Sequence, residues 1–362
     1  MDELVLDDLT ALIPPLLRVL EALGFIARHF DPEDFPSVLE ATGTSDEALR
    51  AARDGLAEWP ARLDVLRGQL ERATDSALSG FAGLRAAAMQ PDGVRAAFRA
   101  LRFLPRAEEA LYPLAPGLPA VSRYFLPPSH RADDALLRRL AAGAEETGIH
   151  HVDNAPGSRG GFSLYVPEIY SPERPPPLVM ALHGGSGSGG SFLWTWLRDA
   201  RARGALLVAP TATGPTWALN SPDADTSNLL RILDLVSARF PPDPARLLLT
   251  GMSDGGTFTY VSGLAATSPF THLAPIAASF HPILAHLTDP ARLRHLPIHI
   301  THGSFDWMFP VEQAHVARDT LAAAGAAVRF HEINDLSHSY PREINADILH
   351  WLGAGETPLV DG

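Results

Sequence analysis

Residues 251–255 read Gly-Met-Ser-Asp-Gly and place the strongest local constraint on how this chain can fold. The apolar run before them, residues 246–250, is typical of a short buried strand, and residues 256–261 can open a helix. A serine at a sharp strand-to-helix turn has an exposed Oγ, and the flanking glycines let neighbouring backbone pass without Cβ collisions. The pentapeptide therefore predicts a strand, a turn and a helix, with Ser253 as a candidate nucleophile.

Composition narrows the classes of protein that this chain can belong to. Its 362 residues are 46% hydrophobic and 20% charged, which is ordinary for a globular protein with a full core. The net charge is -13 and there is neither a lysine nor a basic run, so we expect no nucleic-acid partner. The absence of cysteine excludes disulfides, thiolate metal sites and a cysteine nucleophile, and it leaves serine as the obvious covalent catalyst.

The first residues are acidic, and Pro14 and Pro15 interrupt the first apolar stretch. A secretion signal has a basic start and an unbroken apolar region, so we expect none here. We also expect no run long enough to span a membrane, and hence a cytoplasmic location.

Two regions differ in pattern, and we predict a domain boundary between residues 147 and 148. Residues 1–147 are rich in Ala, Leu, Arg and Glu at helical spacing, which predicts an all-α N-terminal domain. Within it, residues 44–47 read Thr-Ser-Asp-Glu and fit a capping box at a helix start. Residues 148–362 instead alternate short apolar runs with glycine- and proline-rich turns.

The second region predicts an α/β domain. Helical segments such as 227–240 and 311–324 separate its apolar runs. Strands that alternate with helices favour a mostly parallel central sheet. The predicted strands are 162–166, 178–182, 206–209, 246–250, 297–300 and 328–331.

Three residues and one loop that could take part in catalysis follow predicted strands. In open α/β sheets, reactive groups gather beyond the carboxyl ends of the strands. They are Ser253, the glycine-rich residues 183–190, Asp306 and His338. Asp306 is the candidate acid that orients His338, the candidate base. Asp335 is a rival acid, but it lies only three residues from His338, too close along the chain to reach the imidazole well.

The order serine, aspartate, histidine matches that of the α/β-hydrolases and differs from the orders in chymotrypsin and subtilisin. Four sequences carry a more specific resemblance: residues 182–185, residues 251–256, residues 302–306 with Pro310, and His338. Over about residues 148–353 the chain resembles the phospholipase/carboxylesterase branch of the α/β-hydrolases, which includes acyl-protein thioesterases. The helical region matches nothing in that pattern.

The resemblance implies a catalytic triad of Ser253, His338 and Asp306. It also implies an oxyanion hole formed by the backbone N–H of Asp254 and one N–H of the glycine-rich loop. Gly185 is the loop donor by resemblance. Ser186 stands where glycine is common in that family, so it is a competing donor.

Other residues have weaker interpretations. Trp217, Phe280 and Trp307 are candidate walls of a substrate pocket. The glycine-rich loop lacks the lysine of a phosphate loop, and we expect no cofactor. A group of histidines has no metal-ligand spacing, so we interpret it as structural and expect no metal: His281, His286, His295, His299 and His302.

These features predict a serine hydrolase of small or medium carboxylic esters. A serine exopeptidase or amidase is an alternative, because the same triad cleaves amides, and a catalytically silent hydrolase-like binding protein is another. The N-terminal helices could fold back as a lid over the Ser253 cleft. They could equally pack elsewhere or form a homo-oligomer interface.

Overall fold

The computed structural model describes residues 3–91, 93–219 and 223–353, and it divides the chain into two compact units, Met1–Ala141 and Ala142–Gly362. We call them the helical unit and the sheet unit. The predicted boundary between residues 147 and 148 falls at the first strand of the sheet unit.

The helical unit contains only helices, turns and connecting segments in its described residues. Helix α4 packs against α1, α2, α3, α5 and α6. It buries apolar residues three or four positions apart, the spacing of one helix face. The helices are α1 (Glu3–Arg28), α2 (Phe35–Glu40), α3 (Glu47–Arg53), α4 (Asp64–Ala88), α5 (Val94–Leu101), α6 (Phe103–Leu111), α7 (Pro119–Tyr124) and α8 (Asp134–Ala142).

Helix α1 contains Pro14 and Pro15 in its interior. Among the described residues, the stretch Val5–Arg28 has a length and an apolar composition that would allow a helix to cross a membrane. Half of that window is buried inside the structure. The expectation that the chain has no run of this kind is therefore wrong.

The predicted capping box at residues 44–47 is also wrong. Asp46 precedes α3, but its side chain makes no capping hydrogen bond. Its buried carboxylate instead accepts hydrogen bonds from Arg50 and Arg85. Asp46 thus contributes an ion pair with Arg85, far along the chain, and no cap to α3.

The sheet unit contains one eight-stranded sheet in the order β1-β2-β4-β3-β5-β6-β7-β8. Strands β1 and β2 run antiparallel to their neighbours, whereas β3 to β8 pair in parallel. The strands are β1 (Gly148–Val152), β2 (Phe162–Val166), β3 (Leu178–Leu182), β4 (Leu206–Pro210), β5 (Leu247–Met252), β6 (His272–Ile276), β7 (Pro297–Gly303) and β8 (Ala327–Ile333).

Helices cover this sheet and form the hydrophobic core with it. Helix α9 packs against β2, β3 and β4, α11 against β3, β5 and β6, and α14 against β7 and β8. The helices are α9 (Gly189–Arg203), α10 (Asp225–Arg239), α11 (Asp254–Gly263), α12 (Ile283–Leu287), α13 (Pro290–Leu293), α14 (Glu312–Ala323) and α15 (Ile344–Gly353). The mostly parallel sheet and the turn between β5 and α11 confirm the predicted α/β-hydrolase fold with a preceding helical domain.

Two strands depart from the predictions. Strand β6, His272–Ile276, was not predicted, and it contains Pro275. Strand β1, Gly148–Val152, was not predicted, because it is a half-exposed edge strand with two adjacent histidines and no apolar alternation. The strands that position the candidate site, β3, β5, β7 and β8, all end at one edge of the sheet.

Candidate active site

Ser253 occupies the turn between β5 and α11 with a left-handed backbone, φ 57° and ψ -122°. Residues other than glycine rarely adopt this backbone conformation. It costs of order 1–3 kcal/mol and persists only where the surrounding structure imposes it. The Ser253 N–H donates to the carbonyl of Ile276 at the end of β6, at 3.0 Å. Strand pairing therefore holds the turn in the conformation that projects its Oγ.

The two outer glycines of the pentapeptide are required by close backbone approach. A Cβ on Gly251 would lie 2.5 Å from the carbonyl carbon and oxygen of Gly255. A Cβ on Gly255 would collide with the carbonyl oxygens of Leu182 and His183. The turn is thus packed backbone against backbone on the end of β3, as the G-x-S-x-G pattern predicted.

Three side chains form a hydrogen-bonded chain at this edge. The Ser253 hydroxyl donates to Nε2 of His338, with 3.0 Å between Oγ and Nε2. Nδ1 of His338 lies 3.0 and 2.9 Å from the two carboxylate oxygens of Asp306. Because an ionised carboxylate only accepts hydrogen bonds, the imidazole proton lies on Nδ1, which leaves Nε2 free to accept.

The acid is held by its own loop, residues 304–310, which we call the acid loop. Oδ1 of Asp306 accepts hydrogen bonds from the backbone N–H groups of Met308 and Phe309, at 2.9 and 2.8 Å. Burial alone would raise the pKa of this carboxyl, but hydrogen bonds from His302, His338 and the Phe309 N–H outweigh it and hold the pKa well below its usual range. Asp306 is therefore ionised across the whole neutral range.

His302 is a second histidine on the same carboxylate, and the sequence did not identify it. Its Nε2 lies 2.8 Å from the Phe309 carbonyl oxygen and 3.3 Å from Oδ2 of Asp306. Since both partners are acceptors, Nε2 carries the proton. The interpretation of His302 as a structural strand-end residue missed this contact, and only its position four residues before Asp306 could have suggested it.

The glycine-rich loop passes directly beside Ser253. A Cβ on Gly184 would lie 3.5 Å from the Ser253 Cβ. The loop begins at His183, whose Nδ1–H donates to the Gly184 carbonyl at 2.7 Å and whose Nε2 accepts from the Ala212 N–H at 3.1 Å. Burial lowers the pKa of His183 to about 4, so its imidazole is neutral at pH 7 and holds the start of the loop through these two hydrogen bonds.

The predicted oxyanion donors belong to the start of α11 and to the glycine-rich loop. Asp254 is the first residue of α11, where backbone N–H groups have no partner within the helix. Its carboxylate accepts a hydrogen bond from the Thr216 hydroxyl, and a Cβ on Gly185 would lie 2.9 Å from that carboxylate. Ser186 has a positive φ of 57°. The choice between Gly185 and Ser186 as loop donor stays a prediction.

The three predicted pocket residues lie in different environments. Trp217 is only 2% exposed, stacks on Phe258, and donates its indole N–H to the His183 carbonyl at 2.7 Å. Phe280 is buried against Tyr260. Trp307 alone of the three is substantially exposed, and its ring centroid lies 6.1 Å from that of His338. Trp217 is therefore a core support of the glycine-rich loop rather than an open pocket wall.

Two of the other histidines belong to the packing of the sheet unit, whereas His281, His286 and His295 are exposed. His272 and His299 contact the ring of Trp351 in α15, and burial lowers the pKa of each to about 4. Within residues 3–91, 93–219 and 223–353, no group of three or more His, Asp or Glu side chains could hold a metal ion.

Comparisons with known proteins give matches among solved structures only. No protein-family model and no curated protein sequence matches this chain. A thermostable esterase is 20% identical with a TM-score of 0.46, covering 57% of this chain and 62% of its own, so the match spans under two thirds of that esterase.

Two further solved structures are matched over most of their own length. The fluorophosphonate-binding serine hydrolase F of Staphylococcus aureus is 16% identical with a TM-score of 0.46, covering 56% of this chain and 96% of its own. A ferulic acid esterase is 15% identical with a TM-score of 0.48, over the same shares of 56% and 96%. These names describe those proteins and not this chain.

Proposed function

We propose that this protein is a serine hydrolase that cleaves carboxylic esters through a covalent acyl-enzyme. The observation that carries the proposal is the continuous hydrogen-bonded chain from Ser253 through His338 to Asp306. A buried serine, imidazole and ionised carboxylate in this order can move a proton from the hydroxyl as it attacks a carbonyl.

In the first half-reaction, Ser253 Oγ bonds to the ester carbonyl carbon while its proton passes to Nε2 of His338. Asp306 keeps the proton on Nδ1 and stabilises the imidazolium that forms. The tetrahedral intermediate collapses, its bond to the alcohol oxygen breaks, and Nε2 returns the proton to that oxygen. The free alcohol leaves, and the acyl group stays on Ser253.

In the second half-reaction, water replaces the serine as the attacking group. His338 takes a proton from the water while the water oxygen bonds to the acyl carbon. The bond between that carbon and Ser253 Oγ then breaks, and Nε2 returns the proton to Oγ, which gives the carboxylic acid and free Ser253. In both halves the carbonyl oxygen becomes an oxyanion. The N–H of Asp254 and one N–H of the glycine-rich loop, Gly185 or Ser186, are proposed to bind it.

A fluorophosphonate probe tests the nucleophile directly, because only an activated serine displaces its fluoride. Mass spectrometry of the labelled protein should place the adduct on Ser253. Ser253→Ala should abolish labelling, whereas Ser227→Ala, at an exposed serine of α10, should leave it unchanged. A folded wild-type protein that is never labelled would instead support the silent binding protein.

A substrate panel separates ester from amide hydrolysis. We expect turnover of p-nitrophenyl esters and little or none of aminoacyl anilides. The reverse preference would favour the exopeptidase or amidase.

The helical unit is proposed either to act as a lid that sets acyl-chain preference or to form an interface between copies. Deletion of residues 1–141 distinguishes the two. A folded truncation with changed preference between short and long acyl esters supports the lid, and a changed oligomeric state with unchanged preference supports the interface. The cytoplasmic location and the small-molecule ester substrate also stay proposals.

A further inference from the structure

The acid loop carries an unusual concentration of exposed apolar side chains. Phe305, Trp307 and Met308 are exposed by 67%, 43% and 42% of their surface. Three large apolar groups within four residues form a contiguous feature of the sequence, unlike the scattered single residues that any protein surface shows.

The backbone that presents these side chains is fixed. The Asp306 carboxylate binds the N–H groups of Met308 and Phe309, and the Phe305 N–H donates to the Leu336 carbonyl at 3.0 Å. The same hydrogen bonds that hold the acid therefore hold the apolar groups outward. Their exposure follows from an ordered loop.

The position of the acid loop relative to the His338 imidazole determines which part of an ester the loop can contact. The ring centroids of Trp307 and Phe309 lie 6.1 and 5.3 Å from that of His338. Nε2 of His338 must lie within hydrogen-bond reach of the alcohol oxygen when it returns the proton. The alcohol portion of a bound ester therefore lies next to the His338 imidazole and so beside the acid loop.

Charge limits the kind of alcohol. Within residues 304–310 the one ionisable side chain is Asp306, which is buried and engaged by two histidines. The loop offers no cation to a phosphate or carboxylate on the leaving group. Trp307 offers a flat aromatic surface and Met308 a flexible apolar one, which together suit an uncharged ring.

We propose that Trp307 and Met308 form a leaving-group subsite that selects esters of uncharged aromatic or bulky apolar alcohols. This inference rests on the proposed ester hydrolysis at Ser253. It adds that specificity for the alcohol resides in the acid loop, next to the base that protonates it.

Acetate esters test the subsite, because ethyl acetate and benzyl acetate form the same acetyl-enzyme and differ only in the alcohol. Their kcat/KM values report the acylation half, in which the alcohol is still present. In Trp307→Ala, kcat/KM for benzyl acetate should fall about tenfold, while that for ethyl acetate should change less than about twofold. Trp307→Phe should restore most of the benzyl preference.

Val316→Ala is the matched control, since Val316 in α14 is also 43% exposed and should leave both kcat/KM values unchanged. The inference is overturned if Trp307→Ala lowers both acetates equally, which would make Trp307 a support of the imidazole, or if it lowers neither. It is also overturned if the variant alters preference among ethyl esters of different acids instead. Fluorophosphonate labelling of wild-type Ser253 separates these outcomes from failure of the proposed function itself, in which no labelling occurs.

Discussion

Two buried aspartates, one in each unit, show how the partner of a carboxylate determines what it can do. Asp46 in the helical unit is bound by Arg85 and Arg50, and hydrogen bonding by Arg85 is the main reason that its pKa is lowered. Asp306 in the sheet unit is bound by two histidines, and its pKa is lowered as well.

Both carboxylates are ionised near neutral pH, yet only one belongs to a chain of groups that can exchange protons. A guanidinium keeps its proton at every accessible pH, whereas an imidazole gains and loses one near neutrality. The Asp46 pair is therefore a fixed structural contact. In the proposed mechanism, Asp306 stabilises a charge that appears on His338 and disappears again.

The largest expected effect comes from Asp306→Asn. The amide can donate to Nδ1 of His338 and favour the wrong tautomer, so turnover of p-nitrophenyl acetate should fall by about 10⁴. The measurement is kcat at saturating ester, with thermal unfolding as a check on folding. A variant that keeps more than about a tenth of the activity would remove Asp306 from the catalytic role.

Asp46→Asn should act on stability instead. Loss of the charged acceptor leaves Arg85 and Arg50 without their buried partner, at a cost of about 2 kcal/mol to the helical unit. Denaturant unfolding should show this loss, while kcat of the folded protein stays unchanged. A large loss of turnover with unchanged stability would contradict the division of roles between the two aspartates.

His302→Asn should have an intermediate effect. It withdraws one donor from the Asp306 carboxylate, and loss of about 1.4 kcal/mol of positioning corresponds to a roughly tenfold fall in kcat/KM. Because His302 does not touch the substrate, the fall should be the same for ethyl and benzyl acetate. His299→Asn in the same strand, β7, is the control, and an equal fall there would show that disruption of the strand is the cause.

A last prediction concerns pH, and its effect is spread over several buried groups. Burial lowers the pKa of His183, His272 and His299 to about 4 from the ordinary value of 6.5. Between these values the unfolded chain binds more protons than the folded one, so stability falls as the pH falls from about 6.5 towards about 4.

Each of these groups contributes at most about 1.4 kcal/mol per pH unit. Asp199 opposes them, because burial raises its pKa to about 6 and its contribution to stability is lost as the pH rises to that value. Denaturant unfolding at pH 5 and pH 7 should give the lower stability at pH 5. His272→Asn should reduce the difference, and replacement of the exposed His350 should leave it unchanged.

The sequence predicted those parts of the molecule whose causes are local. The G-x-S-x-G spacing follows from backbone collisions within a few residues of Ser253, and the apolar runs of β3 and β5 follow from complete burial. Each of these features could be recognised because its cause acts on residues that are consecutive in the sequence.

Features with distant causes were not predictable. Strand β6 contains Pro275, which has no N–H to donate and weakens a strand pattern, yet neighbouring strands on both sides hold it. Residues 44–47 were expected to form a capping box, but α3 begins only at Glu47, and the side chain of Asp46 binds Arg85, far along the chain. Trp217 was expected at a rim, and its indole instead supports the loop that begins at His183. The contact of His302 with Asp306 likewise depends on how the acid loop folds back on β7.

The backbone contact between Gly255 and the carbonyls of Leu182 and His183 has a consequence for motion. No side chain separates the start of α11 from the end of β3. The two elements therefore cannot shift relative to each other by a rearrangement of side chains between them. Thermal fluctuations of α11 must therefore carry the glycine-rich loop along in the same direction. We expect Ser253 and the glycine-rich loop to keep a constant separation while the surrounding loops fluctuate, so that the proposed oxyanion site is ready before any substrate arrives.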